Sequence, residues 1–255
     1  MSRSTRKMAA AKFRREIRRS NELHTAYLDD PNFFDQYDRF TNWQLQYLLP
    51  FFSDLHVETG YAEAIDFTMS DLAGVGISKR DRDLERAAPA ITRMLPTRAL
   101  ATIAAAAEMN AQVLKVNTAI CRCLLVDDVL PKEISELDYC VACREASSLD
   151  ECAELVHLIT GLGQTLKSLV KIPVLGITLR AMRAPAHAAG FGALQEFLEK
   201  GFLTFRQIPD IDHFLEEIRT RMVRMFEVIY TAPLDDLRKS EFAAQQATLL
   251  KRHSE

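Results

Sequence analysis

The chain has 255 residues, of which 48% are apolar and 26% charged, with a formal net charge of −3. That is the composition of an ordinary soluble globule with enough apolar residues for a sizeable core. Nowhere do eighteen apolar residues run without a charge, which argues against a transmembrane helix. The N-terminus lacks the apolar segment of a secretory signal.

Residues 1–20 carry eight basic groups against the single acid Glu16, a net of +7 that leaves −10 for the rest of the chain. Residues 1–30 read as a basic N-terminal helical extension. Arg14, Arg15, Arg18 and Arg19 are its candidate contacts for RNA, an anionic membrane or an acidic protein surface, because clustered cations release counterions from polyanions. The alternative is a solvated helix lying against the chain's own acidic body. An Arg-rich, acid-poor start also resembles a transit peptide, although the apolar face of Met8, Phe13 and Ile17 is thin.

Residues 31–232 show apolar spacing of 3.6 almost throughout; only Lys171 to Leu179 holds a run that passes for a strand. The expectation is all-α, a single-domain multi-helix bundle of about eight or nine helices, some kinked at prolines. Phe33, Tyr37, Phe40, Tyr47, Leu48 and Phe51 share one face, which Gln44 interrupts and Pro50 should kink or end. A second element runs from Tyr61 to Leu72 and breaks at Ala73-Gly-Val-Gly76. Ser78 and Asp81 form a capping-box-like start for a helix that Pro89 should interrupt. The longest pattern follows Pro96, from Leu100 to Leu124, with an alanine-rich middle, Ala104 to Ala107, where a neighbour can approach closely. Asp127 to Pro131 is a connection, with Pro131 suited to a first helical position. Ser148 and Glu151 make a capping box for a helix ending before Pro173, and a further helix follows Pro209-Asp210 until Pro233. Residues 233–255 read as a charged C-terminal helix or tail.

Five cysteines, two as Cys121-Arg-Cys123 and two as Cys140-Val-Ala-Cys143, suggest thiols in a reducing compartment, so the cytoplasm is expected. The Cys140–Cys143 pair has the spacing of a redox dithiol or half a zinc site, but it lies mid-helix, where Cys140 joins the apolar face. Glu154-Leu-Val-His157 has the ligand spacing of a di-iron helix without the second pair such a site needs, and it points away from the apolar face. Asp210 and Asp212 are explained as helix-terminal acids. No phosphate loop, nucleophile elbow, zinc-protease or dinucleotide fingerprint occurs, so no catalytic residue, metal site or cofactor is assigned and enzymatic activity is left open.

The stretch from Ala181 to Phe202 is the densest in small residues and aromatics. Ala188 with Gly192, and Ala189 with Ala193, form small rows four apart that admit another backbone, a second copy of the chain or a flat ligand. Leu194, Phe197, Leu198 and Phe202 should face a core. Arg183, His187 and Glu196 are the candidate ligand-binding groups, unless Arg183 bonds a helix C-terminus.

Tyr61 to Gly74, Ser78 to Arg86 with Pro89, Met182 to Ala186, Gly190 to Phe202 and Phe214 to Ile218, in that order, resemble the bacterial FFLEELY-motif proteins over roughly residues 40–232. The naming motif is degraded here to Phe67-Thr68-Met69-Ser70-Asp71-Leu72-Ala73. The resemblance implies a bacterial origin and supplies no catalytic residue. The function expected first is a helical binding or regulatory protein that contacts a macromolecular partner or itself. A small-molecule or cofactor pocket near residues 180–202 comes second, and RNA or membrane binding through the N-terminus third.

Overall fold

The computed structural model describes residues 3–58, 60–68 and 77–234, with the side chains at 3, 27, 28 and 77–82 outside the description. In chain order the helices are α1 (Arg3–Leu28), α2 (Pro31–Leu48) continued by a 3-10 turn (Leu49–Phe52), α3 (Ser53–Val57), α4 (Ala62–Asp66), α5 (Ile77–Met94) and α6 (Thr97–Leu124). They are followed by α7 (Glu136–Ala146), α8 (Leu149–Val170), α9 (Pro173–Ala181), α10 (Arg183–Ala188), α11 (Gly192–Gln207) and α12 (Ile211–Thr231). The fold is an all-α bundle. Among the described residues nine helices have nine residues or more, within the number the periodicity predicts, and α3, α4 and α10 are single turns. Of the 171–179 run, residues 173–179 are helical and form most of α9, with Ile172 extended at its N-cap.

Local chemistry explains most boundaries. The Ser148 side chain accepts from the Glu151 amide while the Glu151 carboxylate accepts from the Ser148 amide, a reciprocal cap that starts α8. Asp210 accepts from the amides of Asp212 and His213 and starts α12. Pro50 ends α2 as regular α-helix and passes the chain into the 3-10 turn. Two expectations need correction. Pro131 does not open the next helix: a tight turn with Asp127 and Asp128 at positive φ precedes it, and α7 begins after Ser135, which accepts from the Asp138 amide. Pro89 does not interrupt its helix, because α5 runs through it from Ile77 to Met94. Proline removes one ladder hydrogen bond, but Leu84, Ala87, Ala88, Ile91 and Leu95 are all buried and hold both halves against the core. The Ala73–Gly76 break, the Ser78–Asp81 cap, Met69 to Ala73 of the degraded motif and the tail from residue 235 lie outside what is described.

Two buried clusters form the core. One gathers α2, α4, α7 and α12 with the lower parts of α6 and α8, and centres on Phe40, Leu55, Ile65, Cys140 and Ile229. The other joins Phe13 and Ile17 of α1 to Leu84 and Ile91 of α5, Leu100, Ala104 and Ala107 of α6, and Leu194 and Phe202 of α11. Leu166 and Val170 of α8 pack against both. The alanines of α6 serve as the periodicity suggests: α1 runs along α6 in the most extensive helix pairing of the fold. Arg6 ties α1 to the end of α5 by donating to the carbonyls of Thr92 and Arg93, and Lys12 pairs with Glu108 at 2.9 Å. Gln44, the polar interruption on α2, is accommodated by donating to Asn117 Oδ1 and Tyr139 Oη at 3.2 and 3.1 Å.

Candidate functional site

Two of the sequence stretches singled out above, near residue 67 and from 190 to 202, meet in space. Phe67 follows α4 directly, and its ring stacks on Phe197 (centroids 5.4 Å apart, 23° between planes) and stands edge-on to Phe205 at 6.4 Å. The ring fits because position 201 is glycine: a Cβ there would lie 2.7 Å from Phe67 Cζ. Glycine within a helix costs roughly 1 kcal/mol against alanine, so the aromatic contact accounts for a residue that α11 would otherwise avoid. On α9, Gly176 likewise makes room for the Phe202 ring, whose Cε1 would be 3.0 Å from an added Cβ.

These rings form one wall of a cavity of about 110 Å³ between α5, α6, α8, α9 and α11. Leu84, Ile103, Ala106, Leu166, Leu175 and Leu198 supply much of the remaining surface, and among the described residues Thr102 and Asn110 are the lining side chains with a polar group. Thr102 spends its hydroxyl on the Arg98 carbonyl within α6. The cavity is of the size that admits a benzene-sized group, roughly 150 Å³ in a known apolar example. Its chemistry is that of a hydrocarbon site.

The predicted polar residues are elsewhere. Arg183 opens α10 and donates from Nε and Nη2 to both carboxylate oxygens of Glu199, at 2.6 and 2.7 Å. Those hydrogen bonds hold the Glu199 carboxyl below its usual range against the opposing effect of burial. His187 and Glu196 face each other at 3.4 Å on the surface, with both side chains more than half exposed. Neither pair lines the cavity, and Arg183 does not bond a helix end. That task falls to Gln195, whose amide donates to the Leu179 carbonyl at 2.6 Å in a fully buried position. Gln195 and Glu199 were not predicted, although polar side chains beside Leu194 and Phe202 on one face of α11 require buried partners. The small-residue rows are corrected as well. α10 ends at Ala188, Gly190 takes a positive φ of 80°, and α11 starts afresh at Gly192, so Ala188, Ala189 and Ala193 share no continuous face and are exposed. Gly192 faces the His187 ring, whose Nδ1 would be 2.5 Å from a Cβ. Leu194 and Phe202 are buried as expected, and Phe197 and Leu198 are half-buried on the cavity wall.

Arg14, Arg15, Arg18 and Arg19 are exposed on α1, opposite buried Phe13 and Ile17. Arg15 donates to Glu16 Oε1, and Arg19 lies 4.0 Å from its other oxygen. Cys121, Cys140, Cys143 and Cys152 are buried and Cys123 exposed; burial pushes the Cys121 and Cys140 thiols up to about 12. No group of three or more His, Cys, Asp or Glu suited to a metal occurs among the described residues. Glu154 and His157 are exposed on α8. No described helix is long and apolar enough to cross a membrane.

Neither the curated proteins nor the solved structures contain a match to this chain. One domain family matches it, over residues 23–235, from the end of α1 past the end of α12 and including every wall of the cavity. The chain therefore belongs to the family described as domain of unknown function DUF8198.

Proposed function

We propose that this is a helical binding protein whose ligand is a small apolar molecule held between α5, α6, α8, α9 and α11. The observation that carries the reading is the cavity wall, whose described residues are apolar on all five helices except for Thr102 and Asn110. Sites for small molecules are concave and mostly apolar, with few polar groups. Phe67, Phe197, Gly201 and Phe205 are then binding-wall residues, and Arg183, His187 and Glu196 fix the α10–α11 corner from outside. The meeting of Phe67 with residues 197–205 also supports kinship with the FFLEELY-motif proteins, and with it a bacterial origin. Cytoplasmic residence belongs to the same proposal, supported by five thiols.

The test is displacement of a small apolar fluorophore, naphthalene, by n-octanol. Ala106, half-buried on α6 and facing the cavity, is replaced by phenylalanine to fill the space. Ala106→Phe should abolish probe binding with helical circular dichroism retained, whereas Arg183→Ala should bind like the wild type. A folded Ala106→Phe protein that binds the probe unchanged sinks the reading.

A second reading, contact with a polyanion, is favoured by the exposed row Arg14, Arg15, Arg18 and Arg19 on a helix anchored by its opposite face. Charge reversal of Arg14 and Arg18 should remove both the binding of a single-stranded RNA and its salt dependence, since each phosphate contact contributes to the slope. Binding that is insensitive to salt excludes it.

A further inference from the structure

A second cavity, of about 180 Å³, lies in the other core cluster, lined by α2, α6, α7, α8 and α12. Its relation to the first is fixed by two helices. On α6 the first cavity takes positions 99, 102, 103, 106, 107 and 110, and the second takes 113, 116, 117 and 120. At 100° per residue these positions form one uninterrupted stripe. On α8 the first takes 162, 166, 169 and 170, and the second 151, 152, 155 and 159, again a single stripe. Positions descend on α8 as they ascend on α6, so the two helices run antiparallel and the cavities follow each other along one seam. Phe67 lines the first and Thr68 the second, so this pair marks the junction. From Ala106 in the first cavity to Asn117 in the second the seam is about 17 Å long at 1.5 Å per residue, comparable to the roughly 15 Å of hydrocarbon that one chain spans in one leaflet of a bilayer.

The ends of the seam differ. Among the described residues no charged side chain lines the first cavity. The second collects neutral hydrogen-bonding groups, Gln44, Asn117, Tyr139 and Tyr230, and among the described residues the charged one on its wall is the acid Glu151, already paired with Lys115 at 3.1 Å. An occupant carrying a carboxylate or phosphate would find no cation among the described residues of these walls.

Building on the reading of the first cavity as a ligand site, we infer that the occupant is one long, uncharged hydrocarbon chain threaded along the α6–α8 seam. Its apolar end fills the first cavity and a neutral polar head, such as an alcohol or ester, bonds the Gln44–Asn117–Tyr139 cluster in the second. Trp43 is a built-in reporter of that head. It is the chain's single tryptophan and meets Tyr139, on the wall of the second cavity, edge-on at 5.2 Å.

The experiment titrates the full chain with n-hexadecanol, n-octanol and palmitate delivered from cyclodextrin. It follows Trp43 emission and fluorophore displacement in wild type, Ala106→Phe and Val116→Phe, the last filling the second cavity; Ile159→Phe replaces it from the facing helix if that protein does not fold. Hexadecanol should shift Trp43 emission and bind roughly tenfold or more weakly to either filled variant, because each filling excludes several methylenes. Octanol should still displace the probe from Val116→Phe, and palmitate at neutral pH should bind much more weakly than hexadecanol. Hexadecanol binding that ignores Val116→Phe and leaves Trp43 silent overturns the threaded chain while the first cavity stands. Palmitate as tight as hexadecanol overturns the neutral head. Octanol indifferent to Ala106→Phe overturns the reading of the first cavity itself.

Discussion

Helix α8 walls both cavities, and its separation from α12 is set at one residue, which makes Gly163 a sharp place to test the packing. A Cβ at Gly163 would lie 3.0 Å from Leu215 Cδ1 and nearer still to Cδ2, whereas a Cβ at Gly161, two residues earlier on the same helix, would meet nothing within 4 Å. Each Gly→Ala change gains the same helix propensity, about 0.8–1 kcal/mol. At Gly161 that gain stands alone, and the melting temperature should rise by about 2–4 °C for a domain of this size. At Gly163 the new methyl must displace buried Leu215, and overpacking of this kind costs about 1–3 kcal/mol. The clash is with the branched end of a side chain rather than with backbone, so the cost belongs to the lower half of that range. The net effect is from about neutral to about 1 kcal/mol destabilising. The assay is urea unfolding by circular dichroism with m-values compared, plus the Gly163→Ala, Leu215→Ala double variant. Removing the leucine end should make the Gly163 change favourable again, a positive coupling in the cycle. If Gly163→Ala stabilises as much as Gly161→Ala, α8 and α12 do not cross as described.

Stability should fall on the acid side. The Glu199 carboxyl is lowered by its Arg183 hydrogen bonds, the Glu151 carboxyl by the Lys115 bond, and the Asp54 carboxyl by Arg221, whose bond and charge outweigh burial. A carboxylate depressed in the folded state contributes stability that is complete above its unfolded pKa and is lost as pH falls through the folded value. Melting temperature should therefore decline from about pH 4 downward, and a curve that rises there would contradict these pairings. Gln44→Leu removes the donor to Asn117 and Tyr139 and should cost about 1–2 kcal/mol in denaturant unfolding, whereas an unchanged midpoint would mean that the cluster is not formed. Titration with dithionitrobenzoate should give one prompt equivalent, from exposed Cys123, and four more only on unfolding. More than one prompt equivalent in native protein would place a second thiol at the surface.

The fold was legible where its determinants are close in sequence. Ser148 and Glu151 are three residues apart, Asp210 caps amides two and three residues on, and both caps are legible because a cap needs no partner from another element. The stripe from Leu100 to Leu124 was legible because α6 keeps one period for its whole length. The fate of Pro89 is hidden for the converse reason. Its local penalty is written in the sequence, but the buried stripe of α5 that outweighs it becomes visible only when α1, α6 and α11 are placed around it. The rows Ala188–Gly192 and Ala189–Ala193 failed because periodicity assumes an unbroken helix, and the positive φ at Gly190 breaks the count between their members.

The candidate site was half legible, and the division is physical. Which residues of the 181–202 stretch turn inward follows from angle, so Leu194, Phe197, Leu198 and Phe202 were assigned correctly. Which polar group meets which does not follow from angle. Arg183 is paired with Glu199 and Leu179 with Gln195, each across 16 residues, because α9, α10 and α11 fold back on one another and set that offset once for both bonds. Sequence proximity favoured Glu196 instead, which turns outward to His187. The cavity is further from the sequence still. Apolar spacing states that a side chain faces a neighbour, but not whether the side chains of five helices together fill the volume between them. The nearest trace of it in the sequence is a glycine inside an amphipathic helix. Gly201 is where α11 gives up a side chain, and the ring that takes its place, Phe67, lies 134 residues earlier in the chain. That two stretches so far apart are matched to within one methyl group is the strongest physical reason to regard this wall as shaped rather than merely left over.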